Sequence, residues 1–509
     1  MIKTWLFCFF VYLLSYAPSM GQAFNFLESQ KFKQGIQSNG VLFQDKESNP
    51  ALFFPAQSQN PVVKFSGVWI SSTDTNSIIR ASILKNNNEN DFTYGPLSIT
   101  ASKVDSQWDR VPIVKQNIIE EHILRYKESG YMPNENIINW PCNAPFPSRN
   151  ILASFADWNA NLIYEPLLGE YPILSGNQSA YLVYNDWHAN RTAIVSNPIG
   201  LEIKHEVYTK ENNPLLFRSS FHRVLVTNKN TINFKALKLG IYLESNIGEG
   251  KSEFVRTLPF QNSVLIYSTK QSDSFYGTQI PAVIVQFLNA PLAGSIYITQ
   301  DNDLVTGMPQ NAEEVNNLLS GKWTNAKRLT YGGNGVDGSN QARFIYPGLE
   351  DDVNQQFDWT EEKSGNLPGP RNILLRFDSL SVESNQTREY ILVYHIIEDF
   401  KVEEMGKLKE FLNTVDSLFD IGQITNTPVL QKTDSKIYPN PIQQGQEIHL
   451  EGLENANIHI YQSEGRLVKE LEIKSSVFSE KLNLKPGIYW LKIHVPNQIV
   501  ATHKVIVIE

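Results

Sequence analysis

Oxygen-bearing side chains recur at every second position in Asp157-Trp158-Asn159-Ala160-Asn161-Leu162-Ile163-Tyr164, and that spacing lets a loop fold three of them onto one hard cation. In a calcium loop Asp157, Asn159 and Asn161 would be the first, third and fifth ligands, with the Ile163 carbonyl seventh. The twelfth position is Leu168, the sixth is Leu162 where glycine is usual, and Glu165 or Glu170 would have to complete the shell. Only Asp157 of the first three is charged, so calcium would be held weakly. The alternative is a loop held together by its own Asn and Asp side chains with no ion.

Other groups with chemical capacity are scattered. His188 lies near Asp186, and His205 beside Glu202 and Glu206; each pairing suits acid/base work or metal ligation, though such a histidine is more often a solvated or hydrogen-bonded loop residue. Ser245 to Ser252 ends in Gly250-Lys251-Ser252 but lacks the first glycine of a phosphate loop, so a polar turn is expected. Gly332-Gly333-Asn334-Gly335 reads as a permissive loop. Neither His-Glu-x-x-His nor Gly-x-Ser-x-Gly occurs, which removes the common zinc protease and lipase signatures. Sugar hydrolysis needs two carboxyl groups roughly 5 to 9 Å apart, and 53 acidic residues guarantee chance pairs. Trp158, Trp187 and Tyr184 lie near polar loops and could stack on sugar rings.

The elements that must position these groups are mostly strands. Ser263 to Ser268, Ile280 to Leu288, Gly294 to Thr299 and Arg371 to Phe377 are apolar runs bounded by turn residues. Three segments have helical spacing instead: Pro112 to Glu128, Asn311 to Ser320 and Glu403 to Phe419. A mainly β fold follows, with a large β-rich region over 24–424, divisible into subdomains, and a few helices. With 41% hydrophobic and 19% charged residues the chain can bury a core. A net charge of −9 gives no case for a nucleic-acid partner. Cys142 is the one cysteine outside the first 22 residues, so it is expected to be a small buried hydrophobe.

At the N-terminus, Lys3 precedes an apolar run from Trp5 to Leu14, followed by small residues. The run is too short to cross a bilayer of about 30 Å and reads as a signal peptide over 1–22. No other stretch is long enough for a transmembrane anchor in the mature chain. From Lys436 onward, short alternating strands separated by turns predict a small antiparallel β-sandwich over 436–509, and the polar stretch 425–435 is its linker.

Four features of that tail occur in order: Tyr438-Pro439-Asn440-Pro441, Gly465-Arg466-Leu467-Val468, Leu484-Lys485-Pro486-Gly487-Ile488-Tyr489 and Lys504-Val505-Ile506-Val507. The combination resembles the type A C-terminal sorting domain of Bacteroidota type IX secretion substrates. The resemblance implies passage through the periplasm, recognition by the type IX machinery, and release or attachment to surface lipopolysaccharide at the outer membrane. A second resemblance rests on Trp108-Asp109-Arg110-Val111, Ile138-Asn139-Trp140-Pro141, Gly169-Glu170-Tyr171-Pro172, Pro198-Ile199-Gly200, Gly321-Lys322-Trp323 and Pro368-Gly369-Pro370-Arg371. It is similar to a functionally uncharacterised group of secreted Bacteroidota proteins, covering most of 36–400. Their calcium-type loops are often fuller, and this chain departs at Asn161 and Leu162. Two tripeptides, Asp378-Ser379-Leu380 and Asp416-Ser417-Leu418, resemble O-glycosylation sites of the same phylum. The expectation is a secreted or surface protein whose β-rich cargo binds, adheres or scaffolds, with glycans among its partners. The alternative is an extracellular hydrolase acting on polysaccharide.

Overall fold

The computed structural model describes residues 22–98, 105–144, 150–299, 303–350, 358–420, 436–451, 456–462, 467–474, 477–495 and 498–508. The signal-peptide run and the 425–435 linker lie outside them.

Two nine-stranded sheets make the body, and every strand pairing within them is antiparallel. At the centre of the first, Pro61–Asp74 pairs with Phe234–Ser245, which pairs with Asn372–Arg376, and Gly294–Tyr297 forms the end of that row. The second sheet runs from Glu253–Leu258 through Ser263–Ser268, Ala282–Phe287, Thr387–Ile397, Ser219–Asn228 and Leu201–Thr209 to Gln178–Asn185. Phe65, Trp69 and Tyr242 of the first sheet share one core cluster with Ile203, Val224, Val285 and Tyr394 of the second. Alternate strand residues point to opposite faces, so this shared core is the interior of a β-sandwich.

The outer face of the second sheet is also covered, which is why Thr387–Ile397 is buried on both sides from Tyr390 to Ile396. Leu408, Leu412 and Val415 lie on one side of the helix Met405–Asp420, at spacings of four and three residues. Leu408 and Leu412 pack with Leu265 and Ile284, and Val415 with Ile391 and Val393. Asp416-Ser417-Leu418 is inside this helix. Elsewhere on that face, Trp108, Ile119, Trp140 and Cys142 pack against Tyr181 and Val183. Pro112 to Glu128 is a strand, Ile113–Lys115, followed by a helix, Gln116–Arg125. The third helix, Ala312–Leu318, starts at Asn311, whose side chain accepts hydrogen bonds from the Glu313 and Glu314 amides. That cap satisfies two otherwise orphaned N–H groups.

The tail has its own core, formed by Ile448, Leu450, Ile458, Ile460, Tyr489, Leu491, Val505 and other residues of 442–507. Its eight strands form a three-stranded and a five-stranded sheet, and among the described residues none joins the large sheets.

Candidate functional site

The Asp157 loop is braced by its own side chains. Asp157 accepts from the Asn161 amide at 3.3 Å and the Leu162 amide at 2.8 Å. Asn159 Oδ1 accepts from the Asn161 amide, and Asn161 Oδ1 from the Ile163 amide at 2.7 Å. Both Asn side-chain amides donate to Glu165 Oε2, and buried Glu170 accepts from the Trp158 and Glu165 amides. Ala160 and Leu162 take positive φ, 57° and 61°, so a bulky residue holds the place where glycine would be unstrained. Among the described residues no group of three or more His, Cys, Asp or Glu is placed to hold a metal.

His188 is in a loop and bonds the Ser98 carbonyl at 3.0 Å. His205 is not in a loop: it lies within Leu201–Thr209, and strand alternation turns it away from Glu202 and Glu206. It sits in a buried polar chain from Tyr184 through His205 Nδ1 (3.4 Å), His205 Nε2 to His222 (3.0 Å), and His222 to Ser220 (3.0 Å). Burial pushes His205 down to about 3. Tyr184 is fully buried and cannot stack on a ligand, whereas Trp158 is partly exposed with its indole N–H bonded to the Gly169 carbonyl. Cys142 is buried, and burial raises its thiol pKa. The Ser245–Ser252 segment is a turn whose Ile247 and Ser252 amides donate to Glu253.

The structure assembles a cleft from residues that sequence reasoning did not connect. Tyr297, Thr299, Asn334, Tyr346, Glu361 and Arg371 are among those around a cavity of about 420 Å³. Tyr297 and Asn372 come from the paired strands Gly294–Tyr297 and Asn372–Arg376, where rigid backbone fixes them. Asn334 comes from Gly332-Gly333-Asn334-Gly335, whose three glycines all have positive φ. Two tryptophans pin this loop: Trp359 Nε1 donates to the Gly333 carbonyl at 3.2 Å and Trp323 Nε1 to the Gly335 carbonyl at 3.1 Å. Trp323 meets the Tyr297 ring edge to face at 5.2 Å, and Trp359 meets Tyr346 at 5.1 Å. Tyr346 itself has a φ of 48°, a strained backbone for a tyrosine. Beyond the glycine loop lies a second concavity of about 360 Å³, lined by Tyr331, Asn340, Asp358, Trp359 and Lys363 among others.

Glu361 is the carboxylate in the first cavity, and its oxygens are occupied. Oε1 accepts from Arg371 Nε at 2.8 Å and Asn366 Nδ2 at 3.3 Å, while Oε2 accepts from the Val255 amide at 2.7 Å. Burial raises its pKa, against the opposing pull of Arg371. Asn366 also donates to the Tyr346 hydroxyl at 2.6 Å, and burial pushes Tyr297 up to about 12. Tyr346 is fully buried, so the cleft offers the half-buried Tyr297 ring beside fixed amide, hydroxyl and guanidinium groups, a combination suited to gripping a polyhydroxylated ring.

In the tail, the sorting motif ties the first strands to the last. Lys436–Tyr438 pairs with Glu447–Glu451, and after Pro439 the Asn440 side chain accepts from the Ile506 amide at 3.0 Å. Just past Pro441, Ile442 and Gln443 pair in parallel with Val507 and Ile508. Pro486 and Gly487 form a turn closed by the Tyr489 hydroxyl, which donates to the Lys485 carbonyl at 2.9 Å. Lys504 stands opposite Trp490 in the register; Gly465 lies outside the described residues.

Comparison with known proteins agrees with that tail. The secretion system C-terminal sorting domain family matches residues 436–508, and it marks the chain as a type IX secretion substrate delivered to the cell surface or released. No curated protein matches the chain. Among solved structures, a polysaccharide lyase is 8% identical with a TM-score of 0.20, over 64% of this chain and 39% of its own. A putative kojibiose phosphorylase from the human microbiome is 10% identical with a TM-score of 0.29, over 82% and 36%. The adhesin domain of Epf from Streptococcus pyogenes is 11% identical with a TM-score of 0.12, over 64% and 87%. The chain thus spans well under half the length of the first two, and scores this low do not establish a shared fold.

Proposed function

We propose that the exported body is a glycan-binding module, with the Tyr297, Asn334, Asn366 and Arg371 cleft as its combining site and type IX delivery placing it at or beyond the outer membrane. The observation that carries this reading is the state of Glu361. A two-carboxylate hydrolase needs a second acid roughly 5 to 9 Å away and at least one oxygen free to give or take a proton. Glu361 has three hydrogen-bond donors on its two oxygens. The neighbouring Glu253 is fully buried and turned to the Ile247 and Ser252 amides. Among the described residues the cleft has a clamp in place of an acid/base pair, and its half-buried Tyr297 gives a ring for stacking.

The test is a glycan and matrix-polymer array on the purified protein, read for both binding and bond cleavage. Binding without turnover is expected, and Tyr297→Ala should lower affinity roughly tenfold, as loss of about 1 to 1.5 kcal/mol of aromatic contact implies. Cleavage that disappears in Glu361→Gln would replace this reading with the hydrolase. Deleting 436–509 should abolish surface delivery, and a truncated protein that still reaches the surface would remove the tail from the account.

A further inference from the structure

The strand pair that presents Tyr297 and Asn372 to the cleft ends, at its other extremity, on a separate cavity of different chemistry. There Gly294 stands opposite Arg376, and Ser320, Lys322, Arg328, Gln341 and Arg343 complete most of the wall of about 390 Å³. Among the described residues, three guanidinium groups and one ammonium line this pocket, with no carboxylate. In a chain of net charge −9 such a concentration of cations is a local construction, not a reflection of composition.

Arg376 is held in place by missing side chains. A Cβ on Gly294 would fall 2.4 Å from Arg376 Nη2, and one on Gly321, whose φ is +72°, would fall 2.8 Å from the same atom. Both glycines leave room for the guanidinium. Its Nε is buried without a hydrogen-bond partner among the described residues. Burial pushes the Arg376 pKa down to about 10, Asp378 opposes that shift and Arg343 adds to it. Beside the pocket, Lys238 donates to Ser320 Oγ at 2.8 Å and Asn316 Oδ1 at 2.7 Å; burial, then Lys322 and Arg376, lower its pKa. Arg328 is oriented by donating to Gln341 Oε1 at 2.6 Å.

Like charges brought together under partial burial repel, and an anion placed among Arg376, Lys322 and Arg328 relieves that repulsion. A guanidinium fork matches two oxygens of a tetrahedral oxyanion. We infer that this pocket binds a phosphate or sulfate ester, through Arg376, Lys322 and Arg328. Its volume falls in the range of roughly 300 to 1,000 Å³ typical of small-molecule sites, so the ester is carried on a body of about monosaccharide size. The site is independent of the aromatic cleft, and neither proposal needs the other.

The experiment is calorimetry and thermal melting of the full chain with inorganic phosphate, inorganic sulfate, glucose 6-phosphate, glucose 6-sulfate and glucose, each against chloride at matched ionic strength. The sugar esters should bind and raise the melting temperature, the free ions should bind more weakly, and glucose should have no effect. Lys322→Ala and Arg376→Gln should each weaken ester binding at least tenfold, and Lys322→Ala should not lower the melting temperature without ligand, since it relieves repulsion. Preference for the phosphate or the sulfate ester identifies which source the pocket serves. A response to chloride equal to that of the esters would reduce the pocket to charge screening and overturn the proposal. So would unchanged ester affinity in both variants.

Discussion

Replacing His395 by Asn should make the protein less stable at neutral pH and nearly erase that difference in mild acid. His395 lies in Thr387–Ile397, 1% exposed, under the Phe411 ring at 5.0 Å. Its Nδ1 is 2.8 Å from Ser219 Oγ and its Nε2 3.1 Å from Gln286 Oε1. Gln286 spends its own N–H on the Leu412 carbonyl, so its oxygen faces the ring, Nε2 carries the proton and Nδ1 accepts from Ser219. A second proton on Nδ1 would break that bond inside an apolar setting, and burial accordingly lowers the pKa from 6.5 to about 3. The sign follows from linkage: between those values the unfolded chain binds a proton that the folded chain refuses, so stability falls as pH falls from about 6.5 toward 3. Integrated from pH 7 to pH 4.5, this one histidine costs wild type about 2.5 kcal/mol. The Asn variant lacks the group and escapes that loss, though it loses packing and the Gln286 bond, about 1 to 3 kcal/mol at pH 7. Urea unfolding followed by tryptophan fluorescence at both pH values measures the gap. A gap of the same size at pH 7 and pH 4.5 would show that His395 is not held neutral by burial.

Three further outcomes are expected. Gly335→Ala puts a Cβ 2.8 Å from Leu329 Cδ1 at a φ of +84°, so it should cost about 1 to 2 kcal/mol in thermal unfolding and weaken glycan binding by shifting Asn334. Asn440→Ala removes the acceptor for the Ile506 amide and should lower stability of the tail by about 1 kcal/mol, seen as faster proteolysis of 436–509 with the body intact. Asp157→Asn distinguishes the two readings of the 157–163 loop. The bonds from the Asn161 and Leu162 amides lead to an expected loss of about 1 kcal/mol with or without calcium, whereas a loss seen only in millimolar calcium would make the loop an ion site.

What was legible in the sequence is what local patterns encode. Leu408, Leu412 and Val415 recur at helical spacing because one helix face meets a sheet, and the period is visible without knowing which sheet. The tail was legible because its motif residues close one small module, with Asn440 reaching Ile506 and Ile442 reaching Val507. His205 misled because adjacency in sequence is opposition in a strand: Glu202 and Glu206 lie across the sheet from it. Tyr184 misled because the chain bends away from Asp186 onward while the ring itself faces the sandwich interior. The cleft was illegible for a different reason. Its parts come from positions 297, 334, 346, 361 and 371, and no spacing rule links them until the strand register does. A signal was present in Gly332-Gly333-Asn334-Gly335, flanked by Trp323 and Trp359, but glycines beside tryptophans become a pinned loop only once the indole N–H groups are seen to reach its carbonyls.

Why both cavities adjoin one strand pair follows from a problem every open sheet must solve. Gly294–Tyr297 ends its row of the first sheet, and an uncovered strand edge invites pairing with another chain. Here the edge is covered from within: the Ser295 amide donates to the Arg343 carbonyl, and the Ile345 amide to the Ser295 carbonyl, both at 3.2 Å. That cover is short and irregular, so the chain must turn away at each end of it, and concavities open where it does. Arg343, at one end, faces the basic pocket with Arg376; Tyr346, just past the other, faces the aromatic cleft with Tyr297. Protecting the edge and opening two cavities are thus one structural act, and the edge strand supplies the rigid backbone on which both depend.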